Sequence, residues 1–163
     1  MPDKLSDLII RSATPDDMRD VAIMAGEFQA FVATLDGSDP YFDVEDAVVR
    51  YTRYGFGDKP LFSSLIAEVN GAPVCYAIYS IGFWADSLQG MVLLTDLFIR
   101  QDWRSSGVGQ QMFQELKRIG EREDCELVMW TVWKKNQLAQ RFYEKLGATS
   151  IDEERLMMLP VRP

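Results

Sequence analysis

The residues best suited to chemistry lie in one short stretch, Arg104-Ser105-Ser106-Gly107-Val108-Gly109-Gln110. It follows the apolar run Met91–Ile99 and precedes a segment with helical apolar spacing, which predicts a strand, a glycine-containing loop and a helix. Glycines at a helix start let the backbone approach a ligand closely, and the first-turn amides have no partner inside the helix. The stretch is therefore a candidate site for phosphate or pyrophosphate, although a Gly-x-Gly spacing is also common in ordinary turns.

A carboxylate, Asp96, interrupts the apolar run directly after Thr95. Within a buried strand it must be hydrogen-bonded, paired or facing a wet cavity, because leaving it unpaired is costly. Burial can move the pKa of such a carboxyl toward neutrality, so Asp96 is a candidate for binding a cation or accepting its proton. The alternative is a structural ion pair or the cap of a strand bulge. The sequence has no histidine, so neither a histidine base nor a typical zinc site is expected.

The elements that must position these residues follow the order β-α-α-β-β-β-α-β-α-β. This order predicts an α/β fold of three layers, in which about four helices flank a mixed sheet of about six to seven strands. The predicted helices begin at Thr14, Asp43, Val108 and Asn136. The predicted strands are Leu8–Arg11, Ser64–Val69, Val74–Ile81, Met91–Ile99, Glu126–Trp133 and Glu153–Leu159.

Length and charge limit the classes of function. A chain of 163 residues fits a single domain with one sizeable core. The net charge of −8 argues against nonspecific nucleic-acid binding and suits a cationic small substrate. No apolar run approaches the roughly 18 residues that span a bilayer, and no secretion signal is visible. We therefore expect a cytoplasmic protein with neither nucleic-acid nor membrane partners.

Three features together carry a family resemblance: the glycine loop after a buried strand, the element order, and the block Asn136–Ala148. On these the sequence resembles the GNAT superfamily of N-acetyltransferases, whose acetyl-CoA loop has the form (Gln/Arg)-x-x-Gly-x-(Gly/Ala). Arg104, Gly107 and Gly109 match the three defined positions. The second signature is matched by Asn136, Phe142-Tyr143 and Leu146-Gly147-Ala148. The resemblance covers nearly the whole chain and implies a single N-acetyltransferase domain over residues 1–163.

Within the superfamily the chain looks most like the diamine and polyamine branch, which includes the spermidine/spermine enzymes and their thialysine-acetylating relatives. The residues behind this are Tyr54-Gly55-Phe56-Gly57-Asp58-Lys59-Pro60, Leu65-Ile66-Ala67-Glu68, Trp84 and Asp96-Leu97-Phe98-Ile99. The polyamine enzymes carry a glutamate where this chain has Thr95, and an acidic contact where it has Val32. Both departures weaken the expectation of a long polycationic substrate.

The resemblance implies acetyl-CoA as co-substrate and no metal. The backbone of Leu97, Phe98 and Ile99 would hold the pantetheine arm, and the amides of Ser105 to Gln110 would hold the pyrophosphate with help from Arg104. Asn136 would contact the cofactor, and it is also a good helix N-cap. Tyr143 matches the tyrosine that protonates the leaving thiolate; with an ordinary pKa of about 10 it stays protonated at neutral pH. Helical periodicity alone is equally typical of a packing aromatic there.

The reaction implied is direct attack by the primary amine of a small cationic molecule in a ternary complex. Aromatic rings near the acceptor could add cation–π contacts. The candidate acceptor residues are Asp96, Thr95, Glu27, Phe28, Phe31 and Trp84. Two alternatives stay open, a noncatalytic acyl-CoA sensor and a protein lysine or N-terminal acetyltransferase. Relatives commonly dimerise through C-terminal strands, so a homodimer is expected.

Overall fold

The structure, a computed structural model, describes residues 5–162. These residues form two compact units, 5–131 and 132–162. The first unit holds a five-stranded sheet and three of the four α-helices, and the second holds the remaining helix. Each unit is described by itself below.

The sheet of the first unit runs in chain order from β1 to β5. The first three strand pairs are antiparallel and the last, between β4 and β5, is parallel, so the sheet is mixed as predicted. The strands are β1 (Leu8–Ser12), β2 (Ser63–Val69), β3 (Ala72–Trp84), β4 (Gln89–Ile99) and β5 (Cys125–Met129). The helices of this unit are α1 (Met18–Asp36), α2 (Val44–Phe56) and α3 (Val108–Arg122). In the second unit, α4 is Gln137–Lys145.

The first helix is fixed to the sheet by charge and by its cap. Asp17 accepts two hydrogen bonds of 2.8 Å from the Arg11 guanidinium, and it closes a capping box with Thr14. Arg11 also donates to Glu68 on β2 at 2.8 Å. Hydrogen bonds from the Arg11 guanidinium and from Thr14 hold the pKa of Asp17 well below its ordinary value. The start of α1 is thereby tied to β1 and β2.

Two apolar layers cover the sheet. On one face, α1 and α2 bury a cluster against it, in which Phe28, Phe42, Tyr51 and Phe62 are only partly buried. The fully or nearly buried members are Ala13, Met18, Val21, Met24, Ala25, Ile66, Tyr76, Ile78 and Phe98. Helix α3 covers the other face, where Gly120 lies against Val92 of β4. Helices therefore lie against both faces of the sheet at β4.

The sixth predicted strand, Glu153–Leu159, is not found in the described residues, and that prediction is wrong. Over the described residues after Met129 there is no strand, so the sheet has five strands and not six to seven. The apolar residues of the predicted strand, Leu156 to Leu159, are between 83 and 93% exposed. A strand needs a neighbouring strand to satisfy its backbone groups and cover its side chains. The composition of the segment does not show whether such a neighbour is present. The fifth strand is also shorter than predicted and ends at Met129.

Candidate functional site

A β-bulge in β4 sets the position of Asp96. Leu94 pairs with Tyr79 and Asp96 pairs with Ile78, so Thr95 is one extra residue without a partner on β3. Because Tyr79 and Ile78 point to opposite faces of the sheet, Leu94 and Asp96 do so as well. The bulge therefore turns the Asp96 carboxyl toward α1 and α2. The Thr95 hydroxyl donates to the Ile78 carbonyl at 3.2 Å.

The Asp96 carboxylate is held by neutral groups. The Tyr76 hydroxyl donates to its Oδ2 atom at 2.7 Å. None of the ion pairs formed within residues 5–162 includes Asp96. Burial raises the pKa of Asp96 above its ordinary value, and hydrogen bonds from Tyr76 and the Leu97 backbone partly offset that rise. Asp96 thus combines partial burial with the absence of a cation from its own described chain.

One edge of β4 is open beside the bulge. Pairing with β5 runs only from Gly90 to Leu93, so residues 94–99 are paired with β3 alone. Backbone groups of Leu97, Phe98 and Ile99 lie on this part of the strand. One of them is already used, because the Ile99 carbonyl accepts a hydrogen bond of 3.1 Å from Arg104 Nε. Because β5 ends at Met129, opposite Leu93, this part of β4 has an edge along which an extended ligand could add hydrogen bonds.

The glycine loop leads from this edge into α3. Gly107 is the N-cap, with φ of 100°, a left-handed conformation that a residue with a side chain adopts only under strain. The amides of Val108, Gly109 and Gln110 form the first helical turn and have no partner inside the helix. Within residues 5–162, no backbone hydrogen bond outside helices and strands has a donor in Ser105–Gln110. These amides and the helix dipole can therefore bind an anion.

Two loop side chains are occupied by the protein itself. The Ser106 hydroxyl donates to the Trp103 carbonyl at 2.6 Å. The Arg104 guanidinium lies 4.6 Å from the centroid of the Phe31 ring and 5.7 Å from that of Phe98. Burial lowers the pKa of Arg104 from its ordinary value. In this structure Arg104 contacts α1 and β4, and its charge lies over aromatic rings.

The remaining acceptor candidates are spread over the first unit. Glu27 pairs with Arg100 at 3.0 Å. Phe28 packs against Phe98, with ring centroids 5.7 Å apart, and belongs to the layer of α1 and α2. Trp84 pairs with Gln89 at the far end of the β3–β4 hairpin, roughly 20 Å along the strand from Asp96. The structure brings Phe28 and Phe31 near Phe98, and it separates the backbone of Trp84 from Asp96.

The second unit contains the other two predicted site residues. The Asn136 side chain accepts a hydrogen bond of 3.1 Å from the Ala139 amide, which confirms it as the N-cap of α4. Tyr143 lies in α4, half-buried, with its ring centroid 5.4 Å from that of Phe142. Gly147 has φ of 84°, the left-handed conformation typical of a glycine that ends a helix.

Two tyrosines near Asp96 are not predicted from the sequence. Tyr76 lies on β3 and is fully buried, and Tyr51 lies on α2. Burial and the negative charge of Asp96 raise the pKa of Tyr51 to about 12 and that of Tyr76 well above its ordinary value. Both phenols therefore remain protonated over the physiological range. In the sequence each reads as one more apolar residue of its element, and no local signal marks it.

The described part of the chain has no metal cluster or membrane-spanning helix, and it has a pocket away from the glycine loop. Among residues 5–162 no cluster of three or more His, Cys, Asp or Glu side chains could hold a metal ion. No helix of this range is both long and apolar enough to cross a membrane. One pocket, of about 390 Å³, lies at the end of the sheet opposite the glycine loop. It is lined by uncharged side chains of α2, β1, β2, β3 and the 60–62 segment, and by none of the predicted site residues.

Comparison with known proteins gives the family. A family model described as acetyltransferase (GNAT) family matches residues 29–148, more than half of the chain. The chain is 30% identical over 151 residues to human spermidine/spermine N(1)-acetyltransferase-like protein 1, covering 89% of this chain and 21% of that protein. It is 26% identical over 106 residues to bovine thialysine N-epsilon-acetyltransferase, covering 61% of this chain and 62% of the relative. The chain therefore spans about a fifth of the first relative and under two thirds of the second.

Solved structures show the same fold. An integron cassette protein from the mobile metagenome of V. cholerae superposes with a TM-score of 0.77 at 22% identity, covering 94% of this chain and 93% of that one. An aminoglycoside N-acetyltransferase in complex with CoA superposes with a TM-score of 0.72 at 18% identity, covering 96 and 95%. The predicted resemblance to the superfamily, and to the polyamine and thialysine branch, is confirmed. The chain belongs to the acetyltransferase (GNAT) family.

Proposed function

We propose that this chain is an acetyl-CoA-dependent N-acetyltransferase that acts on the primary amine of a small cationic molecule. The observation that carries the proposal is Asp96, a partly buried carboxylate that forms no ion pair within residues 5–162. A buried charge without a counter-ion is unfavourable, so the site is suited to a cation that arrives with a ligand. Asp96 also lies on the strand that leads into an anion-binding loop.

The cofactor side of the site fits acetyl-CoA. The open edge of β4 suits an extended amide-containing arm, and the amides of Ser105–Gln110 suit a pyrophosphate. When bound, acetyl-CoA supplies an acetyl group activated as a thioester. Arg104 contributes positive charge to the loop region, and its present contacts with Phe31 and Phe98 hold it beside β4. Asn136 is a second cofactor contact carried over from the family signature. No metal is part of the proposed chemistry.

The acceptor side is the less specified half. We assign Asp96 to binding the amine and accepting its proton, and Tyr143 to protonating the leaving thiolate. Thr95 stands where the polyamine enzymes have a glutamate, so this chain offers one carboxylate at the bulge and not two. A single carboxylate suits a short diamine or an amino-acid-like amine better than a long polycation. Phe28, Phe31, Glu27 and Trp84 remain proposed acceptor contacts, with Glu27 available only if its pair with Arg100 opens.

We further propose that both units belong to one acetyltransferase domain, because the family match at residues 29–148 crosses the boundary at residue 131. A homodimer is proposed on the exposed apolar segment of Leu156 to Leu159, which a second copy could cover. Light scattering is expected to give about twice the mass of 18.6 kDa. A monomer mass at micromolar concentration would reject the dimer. The cytoplasmic location stays a prediction.

The function is tested by thiol release from acetyl-CoA against a panel of amines: diamines, polyamines, amino acids, aminoglycosides and short peptides. We expect turnover with a small primary amine, and a lower rate for Asp96→Asn, which removes the charge at constant size. CoA binding without turnover on any amine would favour the noncatalytic sensor. Turnover only on peptides would favour the protein acetyltransferase.

A further inference from the structure

The Tyr76 hydroxyl lies beneath the proposed amine-binding carboxylate. Tyr76 is on β3, two residue pairs from the Ile78–Asp96 pair at the bulge, and its side chain is fully buried while Asp96 keeps partial exposure. Its hydroxyl donates to Oδ2 of Asp96 at 2.7 Å. Oδ1 takes part in no hydrogen bond to another side chain of residues 5–162. The Leu97 backbone also donates to this carboxyl group. Tyr76 thus fixes Oδ2 from the protein interior, while Oδ1 has no side-chain donor among the described residues.

The packing of the apolar layer does not by itself require a phenol at this position. Its neighbours in the layer of α1 and α2 are apolar, among them Met24, Ile78 and Phe98, whose ring centroid is 6.4 Å away. A phenylalanine would fill the same volume without burying a hydroxyl. A buried hydroxyl is tolerated only when it is hydrogen-bonded, and Asp96 is its acceptor. Each group therefore makes the burial of the other possible.

Few other charged or titratable groups face this pair. Helix α2 contributes Tyr51, which lies close enough for the Asp96 charge to raise its pKa. Helix α1 contributes apolar side chains, and its Glu27 is paired with Arg100. Arg104 lies over the Phe98 ring on the same side of β4, and it forms no ion pair with Asp96. The Tyr76 hydroxyl is therefore the one side-chain donor to Asp96 among the described residues.

We propose that Tyr76 is a positioning residue of the acceptor site, whose hydroxyl holds Oδ2 of Asp96 so that Oδ1 faces the amine and the carboxylate is ionised when the amine binds. This inference rests on the proposed function. An ammonium acceptor transfers a proton to Oδ1: its N–H bond breaks, an O–H bond forms, and the electron pair stays on nitrogen. The ammonium and the carboxylate are both neutralised, so charge balances. The Tyr76 hydrogen bond stabilises the ionised carboxylate and so sets the pH at which it becomes available.

The sign of the expected pH effect follows from this hydrogen bond. It favours the charged form of Asp96, so its removal raises the pKa of that carboxyl further above its ordinary value. The acidic limb of the pH profile of kcat/KM reports the pKa of an essential group in the free enzyme. In Tyr76→Phe we expect this limb to move to higher pH by about one pH unit or more, as for a lost hydrogen bond to a charged group. At pH values on the acidic side of both limbs, kcat/KM of Tyr76→Phe is expected to be about tenfold lower than that of the wild-type protein.

The experiment follows the ionisation of Asp96 by two methods, NMR and kinetics, in both Tyr76→Phe and Tyr51→Phe. Carboxyl ¹³C resonances of aspartate, with Asp96→Asn for assignment, give the pKa of Asp96 directly. The kcat/KM profile with the best amine of the panel gives the acidic limb. Tyr51→Phe is the matched control, since it removes a nearby, partly buried phenol that forms no hydrogen bond to Asp96. We expect both readings to rise together in Tyr76→Phe and to stay within a few tenths of a pH unit in Tyr51→Phe.

Several outcomes would overturn the inference. An unchanged Asp96 pKa in folded Tyr76→Phe would show that the hydrogen bond does not control the carboxylate. A raised pKa with an unmoved acidic limb would show that the pair lies outside the reaction. If the wild-type protein acetylates no amine, the proposed function itself fails, and this role fails with it. Should Tyr76→Phe not fold, the Tyr76 Cζ resonance of the wild-type protein must titrate with the midpoint of Asp96, and a flat Cζ resonance would contradict the pair.

Discussion

Tyr143→Phe is expected to lower kcat for amine acetylation by about tenfold or more while leaving the affinity for CoA unchanged. The variant keeps the ring that contacts Phe142 and removes only the hydroxyl that we assign to protonating the thiolate. Steady-state thiol release gives kcat, and calorimetry with CoA gives the affinity. Tyr41→Phe is the control, since Tyr41 is 82% exposed and lies outside every proposed site. Full activity in Tyr143→Phe would show that Tyr143 is not the general acid.

Gly107→Ala is expected to weaken CoA binding by about tenfold or more, the size associated with losing hydrogen bonds to a charged group. At φ of 100° a residue with a Cβ is strained, so alanine favours relaxation of the loop away from this conformation. The added Cβ would also lie 2.9 Å from Leu5 Cδ1, and the Leu5 side chain would have to shift. The matched control is Gly37→Ala at the end of α1, with φ of 75° and nothing within 4 Å of its Cβ. Both variants carry a left-handed alanine, but only one lies at the proposed pyrophosphate site.

Calorimetry with CoA measures the affinity of both variants, and thermal unfolding measures their stability. Both are expected to lose stability to a similar extent, about 1 to 3 kcal/mol for a strained backbone. Equal CoA affinity in Gly107→Ala and the wild-type protein would contradict the assignment of the loop. An equal loss of CoA affinity in Gly107→Ala and Gly37→Ala would attribute that loss to global destabilisation, and it would also contradict the assignment of the loop.

Local patterns predict the elements of this fold well. The capping box at Thr14, the N-cap at Asp43 and the apolar spacing of α3 each place a helix start within a few residues of where the structure has it. These signals are local because a helix start satisfies its amides within one turn. The prediction of a strand at Glu153–Leu159 is wrong for the converse reason, since a strand depends on a partner that its own sequence does not encode.

The features of the candidate site also differ in whether local sequence predicts them. The loop at Gly107 is visible because a glycine pattern and a helix start coincide in sequence. The face taken by Asp96 depends on the bulge at Thr95, which is a property of the register with β3 and not of β4 alone. Tyr76 is missed because its role arises only when β3 and β4 are paired with that bulge. The Arg104 contact with Phe31 is missed because it joins distant parts of the chain.

The most direct test of the central proposal is calorimetric titration of the wild-type protein with acetyl-CoA, followed by competition with CoA. We predict saturable binding with one site per chain, abolished by prior saturation with CoA. On addition of an accepted amine, the bound acetyl-CoA should be converted to CoA with release of one thiol per acetyl group transferred. No heat of binding and no competition by CoA would contradict the account of the loop, and with it the proposed acetyltransferase function.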